Sequence, residues 1–133
     1  MRAVLVDTSG LYEYLNRGAA NHLTAKAAMK SLREAGLEPV LTNFLVAEIY
    51  ALILIRVGAT MARSWLLANR WRVERANSAD EERATAILMA HSDKDYSYTD
   101  AVSFAVMERL GISTALSFDR HFVQYGFQVI GPS

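Results

Sequence analysis

Ala3-Val4-Leu5-Val6-Asp7-Thr8-Ser9 is a run of four apolar residues of β type that stops at an acid followed by two hydroxyls. Short polar side chains at that place favour a helix N-cap, because their oxygens accept the free N–H groups of a first helical turn. A strand running straight into a helix is the unit from which covered parallel sheets are built. The unit returns along the chain. Leu23 to Leu32 carries apolar residues at helical spacing, ends near Gly36 and gives way to the β-type run Pro39-Val40-Leu41. Thr42 or Asn43 can cap a helix from Phe44 to Val57 that stops at Gly58, and a further helix from Met61 to Asn69 leads into Trp71-Arg72-Val73. Ser78-Ala79-Asp80-Glu81 has the form of a capping box before Ala84 to Met89. The next helix runs from Thr99 to Leu110 and stops at Gly111. Thr114-Ala115-Leu116, a short helix from Asp119 to Tyr125, and Phe127-Gln128-Val129-Ile130 complete the series. The alternation predicts an α/β fold, a three-layer α/β/α sandwich with a short-stranded parallel sheet and right-handed crossovers.

The composition sets bounds on this reading. With 133 residues, 52% of them hydrophobic, and no repeat or linker-like stretch, residues 1–133 read as a single domain with a real core. Lys and Arg number 14 against 14 Asp and Glu, so polyanion binding has to come from locally placed charges rather than from the net charge. Cysteine is absent, which removes disulfides, thiolate metal sites and Cys nucleophiles. The N-terminal apolar run is cut by Asp7, and Phe44 to Ile55 is shorter than the roughly 20 apolar residues of a membrane span. A cytoplasmic protein with no membrane partner is expected. Gly-rich phosphate loops, Gly-x-Ser-x-Gly elbows and His-Glu-x-x-His helices are missing, which sets aside three common enzyme classes.

Sites in parallel sheets form beyond the carboxyl ends of strands, and the acids fall there. Asp7 follows the first strand and Asp119 follows Ala115-Leu116-Ser117-Phe118; each also suits a plain helix cap. Glu48 has Phe44, Leu45, Ala51 and Leu52 as its i±3 and i±4 neighbours, all apolar, so it is expected to be paired or bound to a cation there. A salt bridge to Arg56 or Arg109 is the structural alternative. Asp100, in Ser97-Tyr98-Thr99-Asp100, fits the first turn of a capped helix. Four acids from four chain regions converging on one edge repel one another, and a hard divalent cation neutralises them. By that argument Asp100→Asn is expected to be neutral or stabilising without metal.

The residues resemble the PIN-domain ribonucleases, and among them the VapC-like toxins of toxin–antitoxin pairs. The resemblance runs through Val4-Leu5-Val6-Asp7-Thr8-Ser9, Leu41-Thr42-Asn43 with Glu48, Tyr98-Thr99-Asp100-Ala101, and Ala115-Leu116-Ser117-Phe118-Asp119-Arg120-His121-Phe122. It implies Mg²⁺- or Mn²⁺-dependent cleavage of RNA, with Asp7, Glu48, Asp100 and Asp119 holding the ion. Asp7 and Asp100 are taken as the most direct ligands, and the count of ions stays open. Arg120 and His121 are candidate phosphate contacts, and Thr8 and Ser117 candidate hydrogen-bond supports for the carboxylates. Arg70, Arg72 and Arg75 around Trp71 read as a solvated face. The resemblance also implies a cognate antitoxin protein. Leu11, Tyr12, Tyr14, Leu15, Leu52 to Ile55 and Trp65 to Leu67 exceed what one small core needs, so a homodimer or higher homo-oligomer is expected. Two alternatives stand beside this reading. One is a binding module of the same fold without activity. The other is a haloacid-dehalogenase-type phosphohydrolase, which wants a second Asp two positions after Asp7, where this chain has Ser9.

Overall fold

In the computed structural model the described residues are 2–130; Met1 and residues 131–133 lie outside them. The elements follow in the order β1 (Ala3–Val6), α1 (Thr8–Leu15), α2 (His22–Glu34), β2 (Glu38–Thr42), α3 (Asn43–Arg56), α4 (Ala59–Ala68), β3 (Arg72–Glu74), α5 (Ser78–Ala90), α6 (Tyr98–Leu110), β4 (Thr114–Leu116), α7 (His121–Tyr125) and β5 (Gln128–Ile130). The strands form one parallel sheet in the order β3-β2-β1-β4-β5. The expected α/β architecture is the one observed. Right-handed crossovers put α1 to α4 on one face and α5 to α7 on the other, and the helix contacts fall into those two sets apart from a small one between α3 and α6. The chain moves outward from β1 to β3 and then returns to β4 on the other side of β1, so the order reverses between β1 and β4. Loops leaving the carboxyl ends of two such strands diverge and open a crevice.

Local chemistry fixes the element ends. Asn77 and Ser97 each accept a bond from the N–H three residues on, while Asp80 and Asp100 return the bond to the cap N–H, two complete capping boxes. Gly111 ends α6 in the left-handed conformation that a side chain resists. In the first turn of α1, a Cβ on Gly10 would lie 2.4 Å from the Leu116 carbonyl oxygen. Glycine at that position lets α1 sit directly on β4, which brings Asp7 beside the end of that strand.

The core is one cluster about β1, whose four residues are all buried. Helix α6 is buried continuously from Ala101 to Met107, as its apolar composition on every side requires. Phe104 on that helix stacks on Tyr125 at 4.4 Å and meets Phe122 edge-on at 5.0 Å. One ion pair, buried at its acid end, ties the layer together: Arg109 gives Nε and Nη2 to the two oxygens of Asp80 at 2.9 Å each, and Nη2 also reaches Glu74 at 3.1 Å. The apolar surplus is divided. Leu11 and Ile53 are internal, Tyr12, Tyr14, Leu52 and Trp65 are half-buried, and Leu15, Leu54, Ile55, Leu66 and Leu67 face outward.

Candidate active site

Asp7 is both a cap and a buried charge. Its Oδ1 accepts the Gly10 N–H at 2.8 Å and the Ser9 hydroxyl at 2.8 Å, while Oδ2 accepts the Ser117 hydroxyl at 2.7 Å. The side chain is 4% exposed. Burial pushes its carboxyl up to about 7; the hydrogen bonds from Gly10, Ser117 and Ser9 oppose that rise and the charge of Asp119 adds to it.

The two serines clasp α1 to the segment after β4. Ser117 Oγ, buried at the strand's end, accepts the Asp119 N–H at 3.0 Å while it donates to Asp7. Ser9 Oγ accepts the Phe118 N–H at 2.9 Å. Ser117 thus sits where the sequence placed a support for the carboxylates. Ser9 was legible only as a cap former or as the departure from a phosphohydrolase pattern. Its bond to a residue 109 positions away carries no local signal.

Asp100 and Asp119 meet through His121. The His121 Nδ1 lies 2.7 Å from Asp100 Oδ2 and 3.2 Å from Asp119 Oδ1, and the His121 backbone N–H donates to Asp119 Oδ1 at 2.8 Å. Ligating atoms of Asp100, Asp119 and His121 all fall within 4.8 Å of one another. Asp7 and Glu48 are outside that group. Asp7 joins it through Ser117, and Glu48 is tied to the residue after Asp7 by a hydrogen bond from the Thr8 hydroxyl. Thr8 therefore touches Glu48, not Asp7. Arg120 is exposed and makes no ion pair among the described residues, while the ring of His121 is turned to the acids.

Two readings of the sequence change here. Glu48 is exposed, because the buried stripe of α3 is Leu45, Ile49 and Ile53 and Glu48 lies off it. The ion pairs considered for it are absent among the described residues: Arg109 serves Asp80 and Glu74, and Arg56 lies 5.1 Å over the Tyr12 ring. Asp100 carries its charge in a favourable place, in the first turn of α6 and against His121. Neutralising it removes the charge that strengthens the capping-box bond and the His121 contact, so relief of repulsion is not its main effect.

The donor set is hard, made of carboxylate oxygens without sulfur, which suits Mg²⁺ or Mn²⁺. Asp100 Oδ1, Asp119 Oδ2 and Glu48 Oε2 accept no hydrogen bond among the described residues. Those oxygens remain available to a cation, and the residues fit one.

Residues 4–128 match the PIN domain family, and the chain belongs to it. Nucleases of that family hydrolyse RNA and depend on metal. Among its relatives, the 23S rRNA-specific endonuclease VapC20 of Mycobacterium tuberculosis, in strains CDC 1551 / Oshkosh and H37Rv, is 36% identical over 134 residues, covering 97% of this chain and 98% of that protein. The crystal structure of VapC20, described as a Sarcin-Ricin loop cleaving toxin, has a TM-score of 0.88 at 32% identity and covers 98% of this chain and 100% of its own. FitAcB from Neisseria gonorrhoeae has a TM-score of 0.72 at 17% identity over 97% of each chain, a likeness of fold.

Proposed function

We propose that residues 1–133 form a single PIN-like nuclease domain that cuts RNA with a divalent cation, as the toxin of a toxin–antitoxin pair acting in the cytoplasm. The observation that carries this reading is the convergence of Asp7, Asp100 and Asp119 at the β1–β4 switch point, with unshared oxygens on the last two. Asp7, Glu48, Asp100 and Asp119 are the residues we propose to hold Mg²⁺ or Mn²⁺. When bound, such an ion makes a water nucleophilic near neutral pH and offsets charge on the phosphoryl oxygens. Ser9 and Ser117 keep the Asp7 carboxylate aimed, and Thr8 does the same for Glu48. Arg120, exposed beside Asp119, is free to meet the phosphate on the solvent side. The likeness to VapC20 supports 23S rRNA, at its sarcin–ricin loop, as the substrate.

Purified protein incubated with 23S rRNA and Mn²⁺ is expected to release one discrete fragment pair, and EDTA is expected to stop it. Equal cutting in EDTA overturns the metal reading. Intact RNA under all ion conditions leaves the inactive module of the same fold as the answer.

The partners follow from the outward apolar residues. Leu54, Ile55, Leu66 and Leu67, on α3 and α4, are proposed to pair two copies. A groove of about 570 Å³ between α1 and the α3–α4 pair, lined by Tyr12, Leu15, Ile53, Met61 and Trp65 among others, is proposed to take an amphipathic antitoxin segment. Light scattering should give a dimer, and expression should arrest growth unless the neighbouring gene is co-expressed. A monodisperse monomer that is harmless alone refutes both partner proposals.

A further inference from the structure

We propose that His121 is a positioning residue of the cation site: it links Asp100 to Asp119 and commits one oxygen of each carboxylate, so that the other oxygen of each faces the ion. The proposal rests on the reading above that these two acids hold a divalent cation. Asp100 belongs to the first turn of α6, and Asp119 lies in the segment between β4 and α7, so no shared element sets their separation. Two carboxylates so placed repel; the Ser97 N–H holds Asp100 Oδ2 at 3.0 Å through the capping box, but nothing in that bond ties Asp100 to Asp119. The His121 ring supplies that tie. Its Nδ1–H donates to Asp100 Oδ2 at 2.7 Å and lies 3.2 Å from Asp119 Oδ1, which also accepts the His121 backbone N–H at 2.8 Å. The oxygens it takes are Asp100 Oδ2 and Asp119 Oδ1. Asp100 Oδ1 and Asp119 Oδ2 are left without hydrogen bonds among the described residues.

The ring is held independently of the acids. Tyr96 meets it edge-on at 5.5 Å and 84°, and Tyr96 is itself packed against Phe104 at 5.1 Å and Tyr125 at 6.1 Å. The imidazole is 17% exposed, so the aromatic cluster fixes its plane before any ligand arrives. An ion then meets two carboxylates already oriented, and less ordering is charged against its binding.

The test is Mn²⁺ binding to the full chain by calorimetry at one pH, with circular dichroism to confirm folding, for H121A, H121N and H121Q. Asparagine places a donor near the Nδ1 position, and glutamine places one nearer Nε2. H121A is expected to bind Mn²⁺ about 10- to 100-fold more weakly, H121N to recover most of that loss, and H121Q to recover little. Where H121A does not fold, the contrast between H121N and H121Q carries the same decision. Affinity of H121A within about twofold of wild type, or H121N no tighter than H121Q, overturns the proposal. A rise in KM for RNA with Mn²⁺ affinity unchanged also overturns it, in favour of a phosphate contact. Failure of the cation site itself looks different: wild type then takes up no Mn²⁺, or keeps its uptake in Asp100→Asn, and the proposal falls with that site.

Discussion

Asp7→Asn is expected to slow RNA cleavage by about 10³-fold or more, since a lost anionic ligand weakens ion-based stabilisation worth several kcal/mol. The same variant is expected to melt higher than wild type in EDTA at pH 8. The reason is the burial of this carboxyl among Gly10, Ser9 and Ser117, which holds its proton up to about pH 7 in the native state. In the unfolded chain the proton leaves near the ordinary value of 3.8. Between those values the native state binds more protons than the unfolded one, so stability falls as pH rises from 3.8 to about 7 and is flat above. The loss is on the order of 4 kcal/mol at most. Asparagine keeps an acceptor for the Gly10 N–H, and the Ser117 hydroxyl can turn to the Asp119 carbonyl 3.2 Å away, so the fold persists. Melting curves in EDTA at pH 5 and pH 8 should therefore slope downward for wild type and stay level for Asp7→Asn. Mn²⁺ should restore wild type at pH 8, by linkage of binding to the native state, and leave the variant unmoved. A variant that cuts RNA at the wild-type rate removes Asp7 from the site, and an unchanged pH slope removes burial of its charge as the cause.

Arg109→Met carries the largest expected loss of stability, about 2–3 kcal/mol, because it leaves the buried carboxylate of Asp80 without its charge partner, although the guanidinium itself reaches solvent. Asp80 is 3% exposed and also accepts the Asn77 N–H at 2.9 Å as half of the α5 capping box. Burial alone would raise its carboxyl, but the hydrogen bonds from Arg109 and the Asn77 backbone hold it below the usual range. Arg109→Lys should not rescue, since one ammonium cannot give two parallel bonds to Asp80 and a third to Glu74. Combining Arg109→Met with Asp80→Asn should recover part of the loss, because the stranded charge is then gone. Urea denaturation measures the series. Cleavage per folded molecule should stay near wild type, since these groups belong to the α5–α6 layer and not to the acid cluster. A loss below about 1 kcal/mol would mean that solvent reaches Asp80 freely.

The sequence by itself determined the local grammar. The apolar run Ala3 to Val6 before Asp7, the cap at Thr42 and the stops at Gly58 and Gly111 mark elements whose ends the structure keeps within a few residues, because caps and turns depend on neighbours a few positions apart. The alternation of those elements, with right-handed crossovers, was enough for the parallel sheet and for placing Asp7 and Asp119 at its carboxyl edge. Tertiary structure decided everything that depends on which face or which distant segment a side chain meets. Helix α3 is apolar nearly all round, so periodicity could not tell that Leu45, Ile49 and Ile53 turn inward and Glu48 outward. Arg109, a sequence candidate for Glu48, found Asp80 because α5 packs along α6. Ser117 reaches Asp7 across 110 residues and His121 reaches Asp100 across 21. The first contact exists because β4 pairs directly with β1, Leu116 beside Val6, and the second because α7 folds back on α6; strand order and helix packing are set by the whole chain rather than by any window of it.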